Sequence, residues 1–129
     1  MSDIEPIAIP GAPPPGGHYS PALASGGLVF TSGQLPILAD GSLALAQADF
    51  AEQARQTFAN LLAVLAAAGC GPGDVLKTTI FLSDIGDWPA CNTIYAEVFG
   101  DHRPARSIVP VGPLHFGFRL EVEAIARRP

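Results

Sequence analysis

The chain has 129 residues, room for one domain with a real core and little space for a second. Hydrophobic residues make up 48%, charged residues 15%, and mean hydropathy is +0.30, so a lone small domain would leave apolar surface in water and a homo-oligomer is expected. The net charge of −5, with Lys77 the only lysine and the arginines scattered, argues against the cationic stripe of a nucleic-acid binder and against an acidic membrane surface.

Met1 to Glu5 has neither a basic nor an apolar leader segment, so no signal peptide is expected and the predicted compartment is the cytoplasm. Residues 1–129 read as a single domain, with an irregular, Pro/Gly-rich lead-in over 1–17 that is densest from Pro10 to Gly17. A β-prone run, Gly27 to Ser32, is closed by Gly33, and Asp40-Gly41 reads as a turn. From Asp49 the period changes. Phe50, Ala54, Phe58, Leu61, Leu62 and Leu65 recur at helical spacing, with Asp49 as N-cap and Gly69 just past the end.

After the break at Gly71-Pro72-Gly73-Asp74, Val75 to Leu82 is β-branched and aromatic enough for a central strand. Asp87 is placed to cap a second helix, with Pro89 in its first turn and Gly100 at its end. Trp88, Cys91, Tyr95, Val98 and Phe99 form its predicted apolar stripe. Ser107 to Val111 reads as a short strand. Phe118, Leu120, Val122 and Ala124 alternate with Arg119, Glu121, Glu123 and Ile125, as in a strand with one buried face. The order predicts an α+β fold, a mixed sheet of about six strands with two helices on one face.

Arg106 is the first candidate for chemistry, because a guanidinium entering an apolar strand needs an anionic partner. That partner is either a bound carboxylate, which its planar fork fits bidentately, or an internal Glu121 or Glu123. The two glutamates share a strand face with Arg119; a partly buried one can carry a raised pKa and move a proton, or both are simply solvated or paired. Tyr19, Ser20 and Ser32 lie on loops, and Asn92 is polar in mid-helix, where its amide needs a partner. Cys70 and Cys91 lack a zinc spacing and an obvious base, and His18, His102 and His115 are far apart, so no metal site is expected. Dinucleotide, phosphate-loop and serine-hydrolase signatures are missing.

Taken together, Tyr19-Ser20-Pro21-Ala22, Phe30-Thr31-Ser32-Gly33-Gln34, Gln53-Ala54-Arg55-Gln56, Asn60, Ala68-Gly69, Asp74 to Thr79, Phe81 to Asp84, Asn92 to Tyr95, Pro104-Ala105-Arg106-Ser107 and Glu121 to Ala126 resemble the RidA (YjgF-type) family of reactive intermediate deaminases. The resemblance covers nearly the whole chain after residue 17. It implies a chorismate-mutase-like homotrimer with sites between subunits. It also implies hydrolysis of 2-aminoacrylate or 2-iminopropanoate to a 2-keto acid and ammonia, with no metal or organic cofactor. By the same resemblance Arg106 holds the substrate carboxylate and Glu121 positions or deprotonates water. Tyr19, Ser32 and Asn92 line the pocket, as does position 108, where Ile108 replaces a cysteine found in some members. His18 and His115 replace frequent prolines and the Asp101-His102-Arg103 loop is short, which leaves substrate preference open. Two other functions compete: a regulatory trimer that binds 2-keto-acid carboxylates without turnover, and a ribonuclease or translation inhibitor, which the sparse cations disfavour. Chorismate-mutase activity has only the fold analogy behind it.

Overall fold

The structure is a computed structural model that describes residues 3–129. Six strands, β1 (Glu5–Ile7), β2 (Ala22–Ser25), β3 (Leu28–Thr31), β4 (Val75–Leu82), β5 (Ala105–Pro110) and β6 (Leu120–Arg127), form one sheet in the order β1-β2-β3-β6-β4-β5. All pairings are antiparallel except β4 with β5. The parallel pair follows from its connection, since α2 (Trp88–Phe99) carries the chain back across the sheet between them.

The long helix α1 (Phe50–Ala67) has the limits its caps dictate. Asp49 accepts a hydrogen bond from the Glu52 backbone N–H at 2.8 Å, and Gly69 takes a left-handed φ of +84° just beyond the last turn. Its buried face carries Ala54, Phe58, Leu61, Val64 and Leu65, which pack on Val29, Ile80, Val122 and Ala124 of the sheet. Phe58 meets Tyr95 of α2 edge-to-face, with ring centroids 5.7 Å apart, and Tyr95 shares a 2.8 Å hydrogen bond with Thr78 of β4. Both helices therefore cover the same face.

The other face has no helix on it. β6 alternates strictly, with Leu120, Val122, Ala124 and Ala126 buried and Glu121, Glu123, Ile125 and Arg127 turned away. Leu23, Phe30 and Val109 are exposed on this open face, in register with Phe30, Ile125 and Phe81 respectively.

Four expectations are corrected. The lead-in over 1–17 is irregular from Pro10 to Gly17, but Glu5–Ile7 is an edge strand paired with Ala22 to Ala24; Met1 and Ser2 lie outside the described residues. The single run from Gly27 is half of a hairpin, turned at Gly26 and Gly27, both at positive φ (+60° and +80°). Asp87 precedes α2 without capping it through its side chain, because it sits in a 3-10 turn (Ile85–Asp87) in a helical conformation. Its carboxylate instead binds Arg119, at 2.7 and 3.1 Å. Arg119 accordingly lies ahead of β6 rather than beside Glu121 on its face.

Candidate active site

Arg106 lies within β5, opposite Thr78, so its side chain rises on the helix-covered face. There its Nη1 donates to the Asn92 side-chain oxygen at 3.0 Å. Its guanidinium carbon sits 4.7 Å from the Tyr95 ring centroid and 5.7 Å from that of Trp88. Two aromatic faces and a neutral amide thus hold a half-buried cation, and among the described residues no carboxylate forms an ion pair with it. The internal pairing with Glu121 or Glu123 is absent for a geometric reason. Both glutamates occupy β6 positions that alternate onto the open face, on the other side of the sheet from Arg106.

Ile108, two residues along β5, shares the face of Arg106 and packs against the core. Asn92, with its amide oxygen on Arg106, has the partner that a mid-helix asparagine needs. Beside this group a cleft of about 560 Å³ runs along α2 and the start of β5, with Tyr95, Phe99, His102, Arg103 and Arg106 in its walls. His102 is fixed by a 2.7 Å hydrogen bond with the Val75 carbonyl, which anchors the short loop that carries Arg103.

Glu121 belongs to a second cluster. Burial raises its pKa above the ordinary carboxylate range, repulsion from Glu123 adds to the rise, and nearby His115 pulls it partway back. Its carboxylate presses on Gly33, in the segment that leaves β3 and bridges to β6 through reciprocal Gln34–Val122 hydrogen bonds of 2.7 and 3.0 Å. Asn60 of α1 holds the continuation of that segment by donating to the Leu35 and Ile37 carbonyls. Ser32 donates its hydroxyl to the Ser20 carbonyl at 2.6 Å, tying the loop of Tyr19 to this cluster. Tyr19 itself is 56% exposed. Only β4 separates β6, which carries Glu121, from β5, so the two clusters stand roughly 10 Å apart across the sheet as well as on opposite faces. Within one chain the predicted residues therefore fall into two separate clusters, Arg106–Asn92–Ile108 and Glu121–Ser32–Tyr19.

Both cysteines are buried. Burial pushes Cys91 up to about 11 and also raises Cys70, so both are protonated thiols at neutral pH. Trp88, expected in the apolar stripe of α2, is instead 40% exposed and flanks the guanidinium. The signal for it was present: Trp88, Asn92 and Tyr95 follow i, i+4, i+7, one helix face with a polar residue in its middle. Gly33 and Arg103 carried no such signal. Among the described residues no three His, Cys, Asp or Glu side chains gather as a metal site, and no helix is long and apolar enough to cross a membrane.

A family model described as Endoribonuclease L-PSP matches residues 10–128. The chain belongs to that family, the RidA (YjgF-type) proteins. Among its RidA relatives, a RutC family protein of Pyrococcus horikoshii is 41% identical over 89% of this chain and 90% of its own length. The 2-iminobutanoate/2-iminopropanoate deaminase of Salmonella typhimurium is 39% identical over 95% and 96%. The crystal structure of Escherichia coli TdcF with bound serine superposes with a TM-score of 0.88 at 37% identity, covering 97% and 99% of the two chains. The mixed sheet with two helices read from the sequence is thus the fold of the RidA family.

Proposed function

We propose that this protein hydrolyses short 2-imino acids of the 2-aminoacrylate/2-iminopropanoate type to 2-keto acids and ammonia. The observation that carries the reading is Arg106: a half-buried guanidinium braced by Asn92, Tyr95 and Trp88, with a fork that no carboxylate of the chain fills. A small carboxylate completes it, each charge-assisted bond contributing about 1.5–3 kcal/mol. The deaminase name of the 39%-identical Salmonella relative supports the choice of an imine over other carboxylic acids.

In this reading a second copy of the chain brings Glu121 to Arg106. The bare sheet face, with Leu23, Phe30, Val109 and Ile125, is the surface that subunits of a homotrimer would bury, consistent with the greasy composition. Glu121, with Ser32 and Tyr19 of the same cluster, then faces a substrate held by Arg106 and Asn92 of the neighbouring subunit, beside Ile108. The ionised carboxylate takes a proton from water as its oxygen adds to C2 of the imine and hands that proton to the nitrogen, which regenerates the carboxylate and leaves the carbinolamine. Collapse of the carbinolamine releases ammonia and leaves the 2-keto acid, the proton passing from oxygen to nitrogen through Glu121. An imine already hydrolyses in water, so positioning plus proton transfer, typically worth about 10²–10⁴-fold, suffices without a metal or organic cofactor.

The non-catalytic reading, a trimer that binds 2-keto-acid carboxylates, has one observation in its favour: Arg106 and Glu121 do not meet within a chain. A ribonuclease is disfavoured because Arg55, Arg119, Arg127 and Arg128 are engaged with Glu97, Asp87, Asp74 and Glu5, which leaves too few cations to track phosphates. The cytoplasm is the compartment this reading assigns. The deciding experiment generates 2-iminopropanoate from alanine with an amino-acid oxidase and traps what survives with semicarbazide. Faster imine loss with wild type but not Arg106→Ala supports the deaminase; carboxylate binding without acceleration supports the regulator.

A further inference from the structure

The cleft beside Arg106 holds a second cation with nothing to hold. Arg103 lies three residues before Arg106, and its side chain lines the same cleft. Among the described residues Arg103 has no ion pair, unlike Arg55, Arg119, Arg127 and Arg128. No Asp or Glu lines the cleft, and the acid on the neighbouring turn of α2, Glu97, is taken by Arg55 at 3.5 Å. Two arginines and a histidine thus share a concavity without a compensating negative charge. His102 adds no free hydrogen-bonding arm at its Nε2, which is committed to the Val75 carbonyl.

Size points the same way. A cleft of about 560 Å³ falls in the roughly 300–1,000 Å³ range that accommodates ligands far larger than a three-carbon acid. Three residues of extended chain span at most about 10 Å; with the Arg106 guanidinium held by Asn92, Tyr95 and Trp88, the exposed and flexible Arg103 side chain is the one that swings to the far end of a four- or five-carbon diacid. The loop that carries Arg103 is held at its base by His102, and Arg103 stands solvent-exposed at the rim of the cleft.

We infer that the cleft accepts a 2-imino dicarboxylate, with Arg106 on the C1 carboxylate next to the imine and Arg103 on the distal carboxylate. This rests on the deaminase reading for turnover but not for binding. The reaction stays balanced: imine plus water gives the 2-keto diacid plus ammonia. The substrate must come from a reaction that oxidises or eliminates on a dicarboxylic amino acid.

The test compares wild type, Arg103→Ala and Arg103→Lys on two imines made in situ, 2-iminopropanoate from alanine and 2-iminobutanedioate from aspartate, each with its oxidase and with semicarbazide as trap. In parallel, calorimetry measures binding of the stable keto acids pyruvate and 2-oxoglutarate. The ratio of kcat/KM for the diacid to that for the monoacid is expected to fall about 10- to 100-fold in Arg103→Ala, carried by KM, with part of the loss restored by lysine. The preference for 2-oxoglutarate over pyruvate should fall by a similar factor. Unchanged ratios in both assays overturn the distal site. A shifted binding ratio with no hydrolysis of either imine upholds the distal site and instead defeats the deaminase reading.

Discussion

A Cβ added to Gly33 would stand 2.8 Å from Cδ of Glu121 and closer still to one of its carboxylate oxygens. The glutamate occupies the space that the missing side chain leaves, so position 33 sets where the carboxylate points. Gly33→Ala should therefore act on Glu121 rather than on the fold. The carboxylate swings away, hydrolysis of 2-iminopropanoate drops by about 10²-fold or more, and the melting temperature changes little. Steady-state kinetics together with thermal melts check this; a large loss of stability at unchanged kcat would refute it.

Glu121→Gln should separate activity from stability. Because burial raises the native pKa of Glu121, the native state holds that proton more tightly than the unfolded chain does. Its contribution to stability is thus fullest below the ordinary glutamate range and is lost as pH rises through the raised native value. At neutral pH the glutamine variant should melt higher than wild type, with the difference shrinking on acidification, while activity falls about 10²–10⁴-fold. The wild-type rate should decline on acidification with a midpoint above the ordinary carboxylate range, and the variant's residual rate should lack that limb.

Arg106→Ala should abolish saturation by carboxylate substrates and leave the assembly intact, since the side chain carries no structural ion pair. Arg106→Lys should recover little, because a point charge replaces a planar fork held between Tyr95 and Trp88. Size-exclusion chromatography with light scattering, run beside the kinetics, distinguishes a binding defect from failed assembly.

The two clusters also predict complementation. If each site takes Arg106 from one chain and Glu121 from another, mixing and refolding Arg106→Ala with Glu121→Gln places intact pairs in part of the mixed oligomers. Activity should reappear from two inactive preparations. Persistent inactivity of verified mixed oligomers would show that both residues must come from the same chain.

Gln53 is fully buried in α1, donating to the Ala48 carbonyl at 3.0 Å and accepting from the Arg119 backbone N–H at 2.9 Å. Gln53→Leu should orphan both groups and destabilise the protein by about 1–3 kcal/mol. The lower urea midpoint should come with an unchanged m value. Because Arg119 leads into β6, activity should fall too.

The extent to which these features were legible varied with how local they are. α1 was readable to the residue because Asp49 and Gly69 cap it through contacts a few positions away. The alternation of β6 likewise placed Glu121 and Glu123 on one face. Asp87 misled because a partner 32 positions on, Arg119, claims its carboxylate. β1 was hidden because three residues, one of them Pro6, carry no periodicity, and an edge position tolerates the missing N–H. The face of Arg106 was not legible at all. It depends on β5 pairing in parallel with β4 so that Arg106 stands opposite Thr78, a register set by the packing of α2 and not by neighbours in sequence.

That register has a consequence for how the protein can change. Trp88, Asn92, Tyr95, Arg103, Arg106 and Ile108 all come from the single stretch 88–108, the crossover helix and the strand it feeds. The groups around Glu121 come from entirely different stretches, 19–20, 31–34 and 120–123. The half that the proposed reaction assigns to the anion is therefore a cassette. Exchanging residues 88–108 between relatives should transplant substrate range in one step while the stretches around Glu121 are inherited untouched.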